Sequence, residues 1–405
     1  MFIPTIHGFS TLDITLMVII FFLVYTLVLK FYKSKQVVVV KDEGKLLYNP
    51  NGSDEGSNLI GGDTTNIVNL ADIKKPIYLK LFKVAFSNNW IPEKVSNMSM
   101  DKYDYEHKLS KELKTIYDTY LSLLIFLDSI QTNNLPNIGK HITLPVALLM
   151  LTRQTFDEAL HSYSYGYTLT NMMTIEEAEK IVYMWRDNES LSSRNEYITM
   201  LYENNKDSNS NRAFLILLIA NYILEGVYFY NVFMFFHNLS FMGMMHASNV
   251  QIKYIKRDEL VHCMFFKEMI LQFREENPDD WDEQLVKDMF TEAVKREREF
   301  SIETNGDDVL GITPETITDY TYCLGNERLD DINVEQIFPK RKNPYKHLDK
   351  LAAIGDETTN KVNSFESTSM AYKQPEIFKG FEKFELLKNK WNKIREEEKR
   401  KESLQ

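Results

Sequence analysis

Apolar positions that recur at helical spacing, a composition with only 15 glycines and 11 prolines in 405 residues, and a Glu-x-x-His spacing that occurs twice together predict an all-α fold, a bundle of helices. Helical stretches are expected at about 101–132, 145–172, 174–203, 209–238 and 246–276, with further ones around 279–303 and 314–325. Breakers separate them: Asn133-Asn134-Leu135-Pro136, then Asn204-Asn205 with the run 207–211, then Asn277-Pro278. A chain of this length, 44% apolar, can bury one large helical domain with appendages. No internal repeat of 20 to 50 residues is present. A net charge of -11 and a pI near 5.4 argue against nucleic-acid binding, which needs a basic face. Two cysteines, Cys263 and Cys323, are too few for a thiolate cluster or a disulfide framework.

The repeated spacing is Glu158-Ala-Leu-His161 and Glu259-Leu-Val-His262. Positions i and i+3 share a helix face, so each pair aims a carboxylate and an imidazole at one point. A bundle that holds two metal ions needs this pair twice and one further acid from each of two other helices. Asp128, which follows the apolar run 121–127, and Glu225, which follows 215–224, supply them. A lone Glu-x-x-His is usually a solvated helix face. Two copies with two acids in apolar runs, in the order acid, pair, acid, pair, instead predict a di-metal carboxylate bundle, because a buried carboxylate must find a partner. Oxygen and nitrogen donors suit iron or manganese better than zinc.

Tyr165 lies seven residues after Glu158 and four after His161, on the same helical face, whereas Tyr163 and Tyr167 turn away. A phenol is thereby presented beside the metals, either as a redox group or as a core hydroxyl bonded to Asp128 or another ligand. Spacing alone leaves both readings open.

The segments Asn89-Trp-Ile-Pro-Glu93, Leu127-Asp-Ser-Ile-Gln131, Asp157-Glu-Ala-Leu-His-Ser-Tyr-Ser-Tyr165, Leu224-Glu-Gly-Val-Tyr-Phe-Tyr230 and Arg257-Asp-Glu-Leu-Val-His262, with Asn343-Pro344, occur in an order that resembles the small subunit of class I ribonucleotide reductase. The resemblance covers roughly residues 80 to 350. It implies a ferritin-like bundle with Asp128, Glu158 and His161 on one metal and Glu225, Glu259 and His262 on the other. It implies a stable tyrosyl radical at Tyr165, generated with O2 by a di-iron or manganese centre, in an apolar pocket that includes Leu121, Phe229, Phe233 and Ile255. Trp90 matches the family's electron relay, and Asp258 the acid that links this indole to His161. The radical would then pass to a separate large subunit, where ribonucleotides become deoxyribonucleotides. Homodimers are usual in the family. Gln154, one turn before Glu158, and Arg257 are candidates for contacts that orient the ligands.

Both ends depart from the family. Residues 14–29 carry no charge, and the span 14–32, with Lys30 snorkelling, approaches the roughly 20 residues that a bilayer requires. Lys30, Lys33, Lys35 and Lys41 follow it and no basic residue precedes it. Residues 1–33 are therefore expected to be a membrane anchor with the N-terminus outside and the enzyme domain in the cytoplasm. Residues 34–75, including the Gly/Asn/Ser-rich run 49–63, are expected to be a flexible tether, and residues 76–350 the metal-binding domain. In residues 351–405, Phe381, Phe384, Leu387, Trp391 and Ile394 form a helical stripe suited to a groove on the large subunit, and Tyr372 is the candidate relay tyrosine of the tail. No Gly-rich phosphate loop is present, so nucleotide binding falls to the partner. Two other readings remain at this point: a different di-iron oxidase or oxygenase, membrane-associated and acting directly on its substrate, and a membrane-tethered scaffold that keeps metal for folding.

Overall fold

Residues 46–53 and 55–348 are described by a computed structural model. The expected anchor at 1–33, the tail at 351–405 and Tyr372 lie outside the described residues. The helices are α1 (Pro76–Ser87), α2 (Pro92–Val95), α3 (Ser99–His107), α4 (Lys111–His141), α5 (Pro145–Met172), α6 (Ile175–Val182), α7 (Glu189–Asn205), α8 (Asn211–Ile223), α9 (Tyr230–Phe241), α10 (His246–Glu276), α11 (Glu283–Asn305) and α12 (Pro314–Asp331). Among the described residues the only β pairing is an isolated bridge between Ile60 and Ile142.

The expected stretches 145–172 and 246–276 coincide with α5 and α10. Proline in the first turn of α5 forfeits only a donor that has no helical partner. At α10 the orphan donors are met from afar: Asp104 accepts from the Met245 amide at 3.0 Å, and Asp101 from the amides of Ala247 at 2.9 Å and Ser248 at 2.6 Å. Both carboxylates are buried at the positive end of the helix dipole.

Elsewhere the helices differ from expectation for identifiable reasons. The stretch 101–132 is two helices, because the Ser110 hydroxyl accepts from the Leu113 amide and starts α4 anew. Asn188 likewise caps α7 at the Leu191 amide and divides 174–203. The breaker at 133–136 does not break: α4 runs through Pro136 to His141. An interior proline costs ~3 kcal/mol, but Leu135 and Ile138, both fully buried, repay burial of their side chains at about 1.5–3 kcal/mol each.

The run 49–63 is not a tether. Leu59 is fully buried, its amide donates to Glu276 at 2.8 Å, and the Gly62 amide donates to Thr143 at 2.9 Å. The Asn49 and Ser53 amides donate to the carbonyls of Thr65 and Asp63.

Four long elements pack as the core of the bundle: α4 on α5, the run 211–241 formed by α8 and α9 on α10, and α5 on α10. The continuous helical run 211–241 is long and apolar enough to cross a membrane, but 94% of its most apolar window is buried. A helix that is apolar all round and enclosed by others is a core element.

Candidate metal centre

Asp128 comes from α4, Glu158 and His161 from α5, Glu225 from the link between α8 and α9, and Glu259 and His262 from α10. All six side chains are fully buried and converge, in the order acid, pair, acid, pair. Two groups form, each with donor atoms within 4.8 Å of one another: Asp128, Glu158, His161, Glu259 and Glu158, Glu225, Glu259, His262. The carboxylates of Glu158 and Glu259 belong to both groups, which a division of three residues per metal does not anticipate.

The donor spacings suit metal. The His161 Nδ1 lies 3.1 Å from Glu259, 3.6 Å from Glu158 and 3.9 Å from Asp128. The His262 Nδ1 lies 2.8 Å from Glu259, 3.2 Å from Glu158 and 3.5 Å from Glu225. Neighbouring donors on an octahedral ion with bonds of about 2.1 Å are separated by about 3 Å. Both Asp128 oxygens, Glu158 Oε2, Glu225 Oε2, Glu259 Oε1 and His161 Nδ1 are buried without a hydrogen-bond partner. Such orphans are costly unless a cation meets them.

Electrostatics agree. Burial, and then the charge of Glu158, push the Asp128 carboxyl well above its usual range. Burial and the charges of Glu158 and Glu259 do the same to Glu225. Burial would lower both imidazoles, yet the surrounding carboxylates raise His161 and His262 well above the usual histidine value. Four acids in a dry pocket thus call for positive charge, and the donors are oxygen and nitrogen only. The two clusters fit a di-metal site.

Glu225 sits on a π turn, Leu224–Tyr228, the kind of one-turn bulge that often marks functional positions in helices. Two buried guanidiniums hold it: Arg194 donates to the Tyr228 carbonyl at 2.7 Å and Arg328 to the Gly226 carbonyl at 3.2 Å. Glycine is required at 226 because a Cβ there would meet Arg328 atoms at 2.7 and 2.8 Å. Arg194 is neutralised in turn by the fully buried Glu297 at 2.6 Å.

Gln154 is buried rather than on the surface, and donates to Glu225 at 2.7 Å and Glu158 at 3.3 Å. Gln131 also donates to Glu225, as does Asn221 at 3.3 Å, so three amides converge on Oε1 and leave Oε2 open. Neither Gln131 nor Asn221 was given a role from the sequence, although each stands about one turn from a ligand and Asn221 lies inside the apolar run 215–224.

The Tyr165 hydroxyl is buried beside the cluster, close to the Asp128 carboxylate, without a hydrogen bond of regular geometry. Burial, and then the nearby Asp128 carboxylate, raise the phenol well above its usual pKa, so it keeps its proton. Leu121, Phe229, Phe233 and Ile255 are all buried, and the rings of Phe229 and Phe233 stack at 5.8 Å. Tyr163, by contrast, is exposed and bonded to Glu93.

Trp90, in the turn between α1 and α2, donates its indole N–H to Asp258 at 2.8 Å, and the same Asp258 oxygen lies 3.5 Å from His161 Nε2. Arg257 bonds the other Asp258 oxygen at 3.1 and 3.2 Å. Trp90 is buried and stacks on the half-buried Tyr254 at 5.4 Å. The carboxylate of Asp157, in the site motif but assigned no role by the sequence, lies 3.5 Å from His262 Nε2.

An all-α bundle with this site is a ferritin-like di-metal carboxylate protein. The chain belongs to the family described as ribonucleotide reductase, small chain, which it matches over residues 67–344. It is 39% identical over 317 residues to the ribonucleoside-diphosphate reductase subunit beta of Treponema pallidum, covering 78% of this chain and 90% of that one. It is 28% identical over 341 residues to the corresponding subunit of Halalkalibacterium halodurans, covering 83% and 97%. Among solved structures it is similar to the ribonucleotide reductase R2 subunit from Clostridium botulinum, with a TM-score of 0.75 and 32% identity over 77% of this chain and 99% of that one. The chain is thus a small subunit of ribonucleoside-diphosphate reductase, an oxidoreductase that requires a large subunit, and the unrelated-oxygenase and scaffold readings fall away.

Proposed function

We propose that Asp128, Glu158, His161, Glu225, Glu259 and His262 hold two iron ions, with manganese the second choice, and that Tyr165 becomes a radical used by the large subunit. The observation that carries this reading is the buried Tyr165 hydroxyl, without a hydrogen bond of regular geometry, set against Asp128 at the edge of the cluster. When bound, the metal pair supplies the oxidising power it gains from dioxygen. Tyr165 gives up one electron and its hydroxyl proton, for which Asp128 is the facing base. The surrounding apolar residues exclude water and reductants, which a persistent phenoxyl radical needs.

Trp90 donates to Asp258, the same Asp258 oxygen lies 3.5 Å from His161 Nε2, and the Trp90 and His161 rings stack 6.3 Å apart, so the three groups lead from the cluster to the turn before α2. We assign electron transfer to this path and, beyond it, to Tyr372 of the tail. Trp90→Phe keeps a ring in the core but removes the N–H that holds Asp258. The Tyr165 radical is expected to form in this variant, while ribonucleotide reduction with the large subunit falls to background. Activity equal to the wild type would remove Trp90 from the path.

A homodimer is the expected assembly; light scattering at twice the 47.6 kDa chain mass supports it, and the single-chain mass contradicts it. For the span 14–32, the proposal is an anchor that leaves the catalytic domain in the cytoplasm. Membrane fractionation of the full chain and of a form lacking residues 1–33 tests it, since an anchor puts only the first in the membrane pellet. Full-length protein recovered wholly in the supernatant would discard it.

A further inference from the structure

We propose that Asp157, clamped by Arg153, is a positioning residue for His262 and sets the affinity of the metal half-site built on Glu225 and His262. The proposal rests on the two-metal reading of the cluster. It starts from a doubled motif: Asp157-Glu158-x-x-His161 on α5 and Asp258-Glu259-x-x-His262 on α10. In each copy the glutamate and histidine face the cluster, and the preceding aspartate reaches the histidine of the other helix. Asp258 lies 3.5 Å from His161 Nε2, and Asp157 lies 3.5 Å from His262 Nε2.

The crossed contacts fix which nitrogen meets the metal. A carboxylate beside Nε2 keeps the proton there, which leaves the Nδ1 lone pair toward Glu158, Glu225 and Glu259. A ligand histidine backed by a carboxylate is held in orientation and is a more basic donor, and loss of such a partner typically lowers metal affinity 10–100-fold.

Asp157 is buried for this task. It is 1% exposed, and Arg153, only 9% exposed, bonds both of its oxygens, through Nε at 3.1 Å and through NH2. The far side of Arg153 rests on the Phe156 ring at 4.9 Å and on Asn89 at 3.5 Å. The two aspartates differ in what lies behind them. Asp258 is backed by Arg257 and also by an indole, which can give an electron; Asp157 is backed by a guanidinium and no indole, and a guanidinium can give neither an electron nor, in proteins, a proton. Asp157 therefore tunes a metal site without opening a second path to the surface.

The test is an anaerobic titration of the full-length chain with manganese(II), free ion being counted by its paramagnetic resonance signal. The wild type is expected to show two sites. In Asp157→Ala one dissociation constant rises about 10–100-fold and the other stays. Asp157→Asn, whose carbonyl oxygen still accepts from Nε2–H, recovers most of the loss. Because Asp157→Ala leaves Arg153 as a buried unpaired cation, the double variant R153M/D157A is measured beside it and should show the same single-site loss. Unchanged constants in the double variant, or equal weakening of both sites, would overturn the inference while leaving the two-metal reading intact. A wild-type chain that takes up no manganese would overturn that reading as well.

Discussion

Replacing Glu259 with alanine is expected to empty both metal positions, whereas replacing Asp128 is expected to empty one. Glu259 reaches His161 at 3.1 Å and His262 at 2.8 Å and is common to both clusters; Asp128 belongs only to the first. Loss of a direct ligand should exceed the 10–100-fold effect typical of an outer partner. Metal analysis of the purified variants reads the difference. A thermal scan gives a second readout, since bound metal stabilises the folded chain by about 2.7 kcal/mol at a concentration 100 times its dissociation constant. That metal-dependent rise in Tm should vanish in Glu259→Ala. The metal-free variant should melt below the metal-free wild type, because Glu259 faces both buried imidazoles at 3.1 and 2.8 Å, and against the cost of its burial those contacts hold it well below the usual carboxylate range. Retention of two ions by Glu259→Ala would show that the shared carboxylate is not a ligand.

Tyr165→Phe is expected to abolish ribonucleotide reduction with the large subunit while leaving metal content unchanged. The substitution removes one oxygen beside the Asp128 carboxylate and keeps the packing of the buried ring. Its folding stability should change by no more than about 1.5 kcal/mol, the upper net contribution of one neutral hydrogen bond. Tyr163→Phe, on the exposed side of the same helix, is the control, and its activity should stay at the wild-type level. Turnover in Tyr165→Phe with two metals bound would place the oxidant elsewhere.

Much of this was legible in the residues because local chemistry and tertiary environment agree. In α5 and α10 the apolar period, the proline start and the Asn277-Pro278 stop coincide, so their ends could be read directly. The six converging side chains were legible because a repeated i, i+3 spacing is a geometric statement. What could not be read was decided by partners far along the chain. Glu276 and Thr143 order the segment around Leu59 from 217 and 81 residues away. The burial of Leu135 and Ile138 carries α4 across Pro136. The π turn under Glu225 depends on Arg194 and Arg328, and the sharing of Glu158 and Glu259 on how α5 and α10 face each other. Asp157 was in plain sight, since the Asp-Glu-x-x-His pattern is itself doubled, but only the crossed contacts show what the first residue of the pattern touches.

If the proposed function holds, the buried cluster, once loaded with metal, oxidises the phenol beside it. Low-temperature electron paramagnetic resonance of the full-length chain, loaded anaerobically with iron(II) and then exposed to oxygen, tests it most directly. A tyrosyl doublet is expected in the wild type and should be absent from Tyr165→Phe at equal iron content. A wild-type sample that binds two irons and oxidises them without any organic radical, or a doublet that survives Tyr165→Phe, would contradict it.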